Sequence, residues 1–195
     1  FLDELTEFKR DTLEVLRQPL ESKNVCISRA MQSITYPASF LLIAALNPCP
    51  CGFFGDRKQT CVCTKPQIDR YLQKLSGPLP DRIDLQIHVP TVDYDTVTDK
   101  QTLGKSSATM REEIAWSVAK QKERFQDTPL NNATMDPDQI DQYCILTPEA
   151  QTIIRTVFDQ LSLSMRGYHK VLKVSRTIAD LEQSELIEAR HLKEA

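Results

Sequence analysis

Phe40 to Leu46 reads F-L-L-I-A-A-L, seven residues without a polar side chain. A run that short and that uniformly apolar suits a strand covered on both faces, as in a parallel sheet with helices above and below. Parallel neighbours need long crossover connections, so this segment directs the chain toward the α/β class. Two further segments are candidate strands of the same sheet. Phe1-Leu2 leads directly into Asp3-Glu4, and Ile83, Leu85, Ile87 and Val89 alternate with other residues until Pro90 ends the run.

The remaining pattern divides the chain in two. Phe8, Leu13, Leu16 and Leu20 fall near helical spacing after a polar start at Thr6, Lys9, Arg10 and Asp11, which predicts a helix over 7–20. Val25-Cys26-Ile27-Ser28 and Ser33-Ile34-Thr35-Tyr36 predict a β-hairpin over 24–37, with Arg29 and Met31 at its turn and Cys26 as a small core residue. Residues 48–65 form an irregular Cys/Pro/Gly loop, and Pro66 opens a helix to Leu75. A polar linker follows over 91–105. Beyond it the chain is helical: Ser106 and Ser107 cap a helix to about Phe125, Thr147-Pro148-Glu149 opens another, and 165–184 and 188–195 complete the set. The expected organisation is an α/β domain over 1–95 and an all-α domain over 96–195.

Composition narrows the function classes. The net charge of −3 gives no global basic signature for nucleic acid. No apolar run approaches the ~18 residues of a membrane span, and the acidic start does not resemble a secretory signal, so a cytoplasmic location without membrane partners is expected. Five glycines against eleven prolines indicate loops stiffened by proline rather than flexible linkers. No internal repeat stands out.

Groups at the carboxyl ends of parallel strands face one crevice, where ligands bind. Asp3-Glu4 and Asn47 occupy such ends. Two carboxylates and an amide suit a site where Asp3 holds Mg²⁺ through water, Glu4 acts as general base and Asn47 orients the attacking water near a γ-phosphate. A surface Asp-Glu pair and a turn-forming Asn before Pro48 are the plainer alternatives. Arg82 precedes a strand and can serve as a finger to a neighbour's phosphate, or pair with Asp81 or Asp84. Arg166 starts a helix of the second domain, where it can meet phosphate or simply carry a solvated charge. No G-x-x-x-x-G-K-[ST] loop occurs anywhere in the chain, so no phosphate cradle accompanies these groups.

Four of the six cysteines crowd into fifteen residues as Cys49-Pro-Cys51 and Cys61-Val-Cys63. Without a secretory context a metal site is favoured over a disulfide framework. Four thiolates on two knuckles suit a tetrahedral structural Zn²⁺, with Gly52 and Gly55 easing the turns; free thiols or disulfides are the alternatives. His88 and His169 are read as ordinary strand and helix residues.

FLDELTEFKRDTLEVLRQPLES, ISRA, YPASFLLIAALNPCPCG, SGPLPDRIDLQIHVP and MRGYHKVLKVSRTIADL, in this order, closely resemble the magnesium-chelatase-like AAA+ ATPases, and within them the YifB/ComM branch. The resemblance covers nearly the whole chain. It implies that Asp3-Glu4 are the Walker B pair, Asn47 sensor 1, Arg82 the arginine finger and Arg166 sensor 2. It further implies ATP and Mg²⁺ as cofactors, a ring-shaped homo-oligomer, a hexamer, and a hairpin over 24–37 that points to the ring's pore. The chain would be the carboxyl-terminal portion of a longer ATPase: strands 3, 4 and 5 of the core, a Cys-rich zinc loop and a helical lid, inactive without the missing Walker A half. ComM-type members are associated with DNA branch migration, which makes DNA a possible partner, with Arg29, Lys170, Lys173 and Arg176 as candidate contacts. A magnesium-chelatase subunit, and a zinc-stabilised interaction module without catalysis, are the alternatives.

Overall fold

A computed structural model describes residues 1–29, 32–75, 79–92, 94, 104–126 and 128–195, without the side chain of Asp81. Among these residues the chain is mixed α/β and mostly helical, with one two-stranded sheet. The chain divides into two compact units, Phe1–Tyr94 and Asp95–Ala195.

The first unit starts on a short parallel contact. Leu2 bridges Ala44, with Leu2 N–H donating to Ile43 O (2.8 Å) and Ala45 N–H to Leu2 O (2.9 Å). A 3₁₀ turn at Leu5–Glu7 leads into α1 (Arg10–Val15) and α2 (Arg17–Ser22). The single helix expected over 7–20 is thus two. Pro19 has no N–H to give to the Val15 carbonyl, so the ladder cannot run unbroken through this point. Leu5, Leu13 and Leu79 are buried together, with Leu2, Leu16, Leu20, Ala44 and Leu75 packed against them.

The hairpin forms as the alternation predicts: β1 (Asn24–Arg29) pairs antiparallel with β2 (Gln32–Pro37), from Asn24 opposite Pro37 to Arg29 opposite Gln32. Met31 lies outside the described residues. Both faces of the ribbon are largely open to solvent. Cys26 is therefore an exposed residue, with Sγ 3.1 Å from Ser33 Oγ, and not the core residue expected. α3 (Lys65–Gln73) carries Pro66 in its first turn, and the Thr64 and Gln67 side chains cap it reciprocally.

The two apolar runs read as sheet strands behave differently from expectation. Over 40–46 only Ala44 joins a bridge, and Leu41 stays 81% exposed. Residues 83–89 join no ladder among the described residues, and Ile87 and Val89 are each 80% exposed. A strand of apolar composition becomes a buried strand only where neighbours pair with its edges and helices cover its faces, and one short partner at Leu2 does not do this. The expected set of strands 3, 4 and 5 is reduced to the Leu2–Ala44 bridge.

The second unit is helical. α4 (Ser107–Arg124) is capped by Ser106, whose Oγ accepts from Thr109 N–H (3.1 Å). α5 (Pro137–Tyr143), α6 (Pro148–Leu161), α7 (Met165–Leu181) and α8 (Ala189–Glu194) follow. Thr147 and Ser164 cap α6 and α7 in the same way. α5 lies between the expected helices; its signal is present in the sequence as Asp136-Pro137 followed by Gln139, an N-cap, a first-turn proline and a capping box. Phe125, Met135, Ile140, Cys144, Ala150, Ile154, Leu172, Ala179, Ile187 and Leu192 form one core. Leu146 and Ile187 form a second parallel bridge that ties the start of α6 to the approach of α8.

A polar network crosses this core. Arg124 donates to both Asp180 oxygens (2.7 and 2.6 Å), and Asn132 Nδ2 donates to Asp180 Oδ2 (2.8 Å). Arg176 Nε donates to Asp180 Oδ1 (3.1 Å), while its Nη atoms reach Glu185 O (2.7 Å) and Ser184 O (2.5 Å). Burial by itself would push the Asp180 carboxyl up; the hydrogen bonds from Arg124 and Asn132 and the Arg176 charge outweigh it and hold the group below the usual carboxylate range. At 2% exposure Arg176 is a core residue and not available to DNA, as the charge pattern of its helix suggested. Burial also raises the Cys144 thiol to about 11, so it stays protonated and inert.

Candidate functional site

The Leu2–Ala44 bridge is parallel, so both chains leave it in the same direction. One continues into Asp3-Glu4 and the other into Leu46-Asn47. Leu5 N–H donates to Ala45 O (2.9 Å), which holds the two segments together beyond the bridge. Asp3, Glu4 and Asn47 thus share one end of a parallel pair, and all three side chains are exposed. Glu4 adopts the left-handed conformation (φ 49°, ψ 51°), uncommon for a residue with a Cβ. Asp3 Oδ1 accepts the Glu4 N–H (2.9 Å) and helps to hold that conformation. Backbone strain of this kind, of order 1–3 kcal/mol, persists where the surroundings over-determine it and clusters at functional sites.

Arg82 ends a 3₁₀ turn at Pro80–Arg82 that follows the buried Leu79. Its side chain is 10% exposed, and the guanidinium grips Glu21 of α2, with Nη2 at 2.5 Å and Nε at 3.2 Å from Oε2. Glu21 lies 61 residues away from Arg82. Arg166 sits exposed in the first turn of α7, after the Ser164 cap, and belongs to the second unit. Arg29 ends β1 and is exposed.

The four clustered cysteines meet. Cys49 is fully buried, and Cys51, Cys61 and Cys63 are partly so. Their sulfurs all lie within 4.8 Å of one another, with Cys49–Cys51 at 3.3 Å, Cys51–Cys61 at 3.6 Å and Cys49–Cys61 at 3.7 Å. Four sulfurs at the corners of a tetrahedron with bonds of about 2.3 Å to a central ion stand about 3.8 Å apart. The cluster is therefore a metal-sized cage, and its cysteines are unbridged. Gly52 and Gly55 both have φ of +84°, so both turns use the conformation glycine permits. Gly52 N–H donates to Cys49 O (3.0 Å), closing the first knuckle.

The electrostatics of the cage separate the thiols. The Phe53 amide, opposed by burial and helped by the Val62 amide, brings Cys51 down to about 6. Burial, with the neighbouring thiols, sends Cys63 up to about 12. Once one sulfur carries charge the others resist ionising, and a cation relieves that conflict. Asp56 anchors the rest of the loop: its Oδ1 accepts from Lys58 N–H (2.6 Å) and Gln59 N–H (2.9 Å), and the Thr91 hydroxyl donates to Oδ2. These bonds, led by Thr91, hold the Asp56 carboxyl below its ordinary range. Asp56, Glu21 and the Thr6–Tyr71 hydroxyl pair carry no motif. Only Asp56 has a local signal, an aspartate two residues before the amide it accepts from.

The profile of the family "Magnesium chelatase, subunit ChlI" matches residues 1–97, and that of "Magnesium chelatase, subunit ChlI C-terminal" matches residues 104–195. The chain belongs to the magnesium-chelatase family. Along its whole length it is 40% identical over 195 residues to the uncharacterised protein YifB of Escherichia coli (strain K12). It is 42% identical over 196 residues to competence protein ComM of Haemophilus influenzae (strain ATCC 51907 / DSM 11121 / KW20 / Rd). These relatives put it in the YifB/ComM branch, as the sequence motifs imply. The chain spans 38% of the length of that YifB and 37% of that ComM. Membership makes it a ChlI/ComM-like AAA+ chain of a family linked to nucleotide and Mg²⁺. Among the described residues no helix is long and apolar enough to cross a membrane.

Proposed function

We propose that this magnesium-chelatase-family chain supplies the hydrolytic half of an AAA+ ATPase site in a ComM-like motor that moves branched DNA. The observation that carries the reading is the shared exit of Asp3-Glu4 and Asn47 from one parallel bridge, locked by Leu5 N–H to Ala45 O. In this reading Asp3 holds Mg²⁺ through water, Glu4 takes the proton of the attacking water, and Asn47 orients that water toward the γ-phosphate. Arg82 is the finger that reaches a neighbouring subunit's nucleotide in a homo-oligomeric ring of six, and Arg166 is the second phosphate sensor. To act in trans, Arg82 exchanges its Glu21 partner for phosphate, a charge-assisted bond of the same class. The phosphate cradle is supplied outside these residues, so the 195-residue chain alone is expected to be inactive. The motor works in the cytoplasm.

The Cys49, Cys51, Cys61 and Cys63 cage holds one structural Zn²⁺ in this reading. Four sulfurs leave no open position, which assigns the ion to shape and not to the reaction.

The test is Glu4→Gln in the native protein that carries this segment together with a phosphate loop. Nucleotide binding should persist while hydrolysis and strand movement stop. Unchanged turnover would remove Glu4 from the base role and the reading with it. The family name favours a second reading, a chelatase subunit; stimulation of turnover by porphyrin, and none by branched DNA, would decide for it.

A further inference from the structure

Two chain segments leave the Leu2–Ala44 bridge, and one substructure ties down both. Asn47 is followed by Pro48 and then by Cys49, which is wholly buried in the thiol cage. Glu4 is followed by Leu5 and by Thr6, itself only 1% exposed. The Thr6 hydroxyl donates to the phenol oxygen of Tyr71 at 2.6 Å. Tyr71 lies in α3, and α3 begins directly after Thr64, the residue that follows Cys63 of the cage. Lys74, one turn further along, sits 5.7 Å from the Tyr71 ring centroid and 3.6 Å from Glu7 Oε1, so this end of α3 grips the Leu5–Glu7 turn at two points.

These links close a ring. It runs from the bridge to Asn47, to Cys49, through the cage to Cys63, along α3 to Tyr71, across to Thr6, and back past Glu4. Leu5 N–H to Ala45 O is the strut across it. The cage, the Thr6–Tyr71 bond and the Lys74–Glu7 ion pair are links made by side chains alone, and the first two stand within two residues of a group at the crevice.

We propose that Tyr71 and the metal-loaded Cys49/Cys51/Cys61/Cys63 cage act together as one positioning device that fixes Asn47 against Glu4. The device rests on the nucleotide reading given above for its chemical purpose, and on the ring alone for its mechanics. A water held between amide and carboxylate needs both groups fixed to a fraction of an ångström. With the cage empty or Tyr71 unable to accept, Asn47 and Glu4 keep their identities and lose their spacing. Tyr71 is a positioning residue: its phenol oxygen bonds Thr6 and not a group at the crevice.

The experiment uses the native metal-loaded protein that contains this segment, with Tyr71→Phe, Thr6→Val, the double variant and Cys63→Ser, and reads zinc content, ATP affinity, turnover and amide exchange. Tyr71→Phe should keep its zinc and bind ATP within about twofold of the parent, while kcat falls about tenfold. The double variant should fall no further than either single variant, because both remove the same bond. Amides of residues 3–6 and 45–47 should exchange faster in Tyr71→Phe, in Cys63→Ser and after chelation. Unchanged exchange at 45–47 in Tyr71→Phe, an additive double variant, or an ATP affinity that worsens in step with kcat would each overturn the device. Exchange separates this outcome from the fate of the nucleotide reading. If Glu4→Gln leaves turnover intact the hydrolytic assignment fails, and faster exchange at both segments in Tyr71→Phe still upholds the ring.

Discussion

In the helical unit Ile140, Ala150, Ala179 and Ile187 are 2% exposed or less, whereas in the first unit Leu41, Ile87 and Val89 are about four-fifths exposed. The helical unit closes its own core and spans it with the Arg124–Asp180–Arg176 network. The first unit has a small core around Leu5, Leu13 and Leu79 and is otherwise held by local devices: a bridge, a hairpin, a thiol cage and a few polar bonds. Side chains that interlock with each other stabilise a unit from within. A cage stabilises only the loops it joins, and its contribution depends on what fills it. The contrast predicts that the units respond to different perturbations.

Metal removal should have the largest effect, and only on the first unit. Structural zinc sites contribute on the order of 10 kcal/mol of apparent binding free energy, which a loop built around the ion gains on folding. A strong chelator, or Cys49→Ser, should open 48–64 to proteases and release one zinc per chain by elemental analysis. Cleavage within the helical unit should not change. Equal protease sensitivity in both units would break the distinction, and metal-free protein purified without chelator would remove the cage's role.

The mirror experiment strikes the helical unit. Asp180→Ala leaves the Arg124 and Arg176 charges uncompensated in the interior and should cost about 3–5 kcal/mol by denaturant unfolding. Ile187→Ala, at a site with no exposure, should cost about 2–5 kcal/mol. Glu21→Ala, which removes the half-exposed partner of Arg82 in the first unit, should cost no more than about 1 kcal/mol. A Glu21 effect as large as that of Asp180 would mean that the first unit also depends on its ion pairs.

Acid sharpens the same contrast. The folded-state pKa of Asp180 is depressed, so its contribution is complete above the unfolded value of about 3.9 and is lost as pH falls through the lower folded value. Helical circular dichroism should hold to about pH 4 and fall below it. Asp180→Asn should start less stable and show a shallower acid limb. An unchanged limb would assign acid unfolding to other carboxylates.

What could be read from the residues beforehand follows the same division. Ser106, Thr147 and Ser164 announce their helices because a cap is a bond between residues three apart. The hairpin is legible because its period-2 pattern and its pairing are both local. The cysteine cage is legible because chemistry, not periodicity, marks it. The Arg82–Glu21 and Thr6–Tyr71 contacts are not, because their partners lie 61 and 65 residues apart and neither pair has a motif. Arg176 misleads because a basic residue on a helix is ordinarily solvated, and only the fold reveals Asp180 and two carbonyls waiting in the interior. The runs at 40–46 and 83–89 carry apolar patterns that describe a covered strand, yet among the described residues of the two runs only Ala44 joins a bridge. Composition records what a segment can bury, and pairing depends on what is beside it.

The smallest effect is expected at that last feature. Ile87 is 80% exposed, so Ile87→Ser removes almost no buried surface and should change the stability of this 195-residue chain by less than about 0.5 kcal/mol. The same substitution in the native protein asks whether anything rests on 83–89. An apolar side chain that becomes fully covered contributes about 1.5–3 kcal/mol. A loss of that size in the native protein, beside none in the isolated chain, would show that the alternating pattern of Ile83, Leu85, Ile87 and Val89 encodes a strand completed by residues from elsewhere. A near-zero change in both would leave 83–89 an uncovered extended segment. The first unit would then be an open structure by nature, held by its cage and ring and not by a sheet.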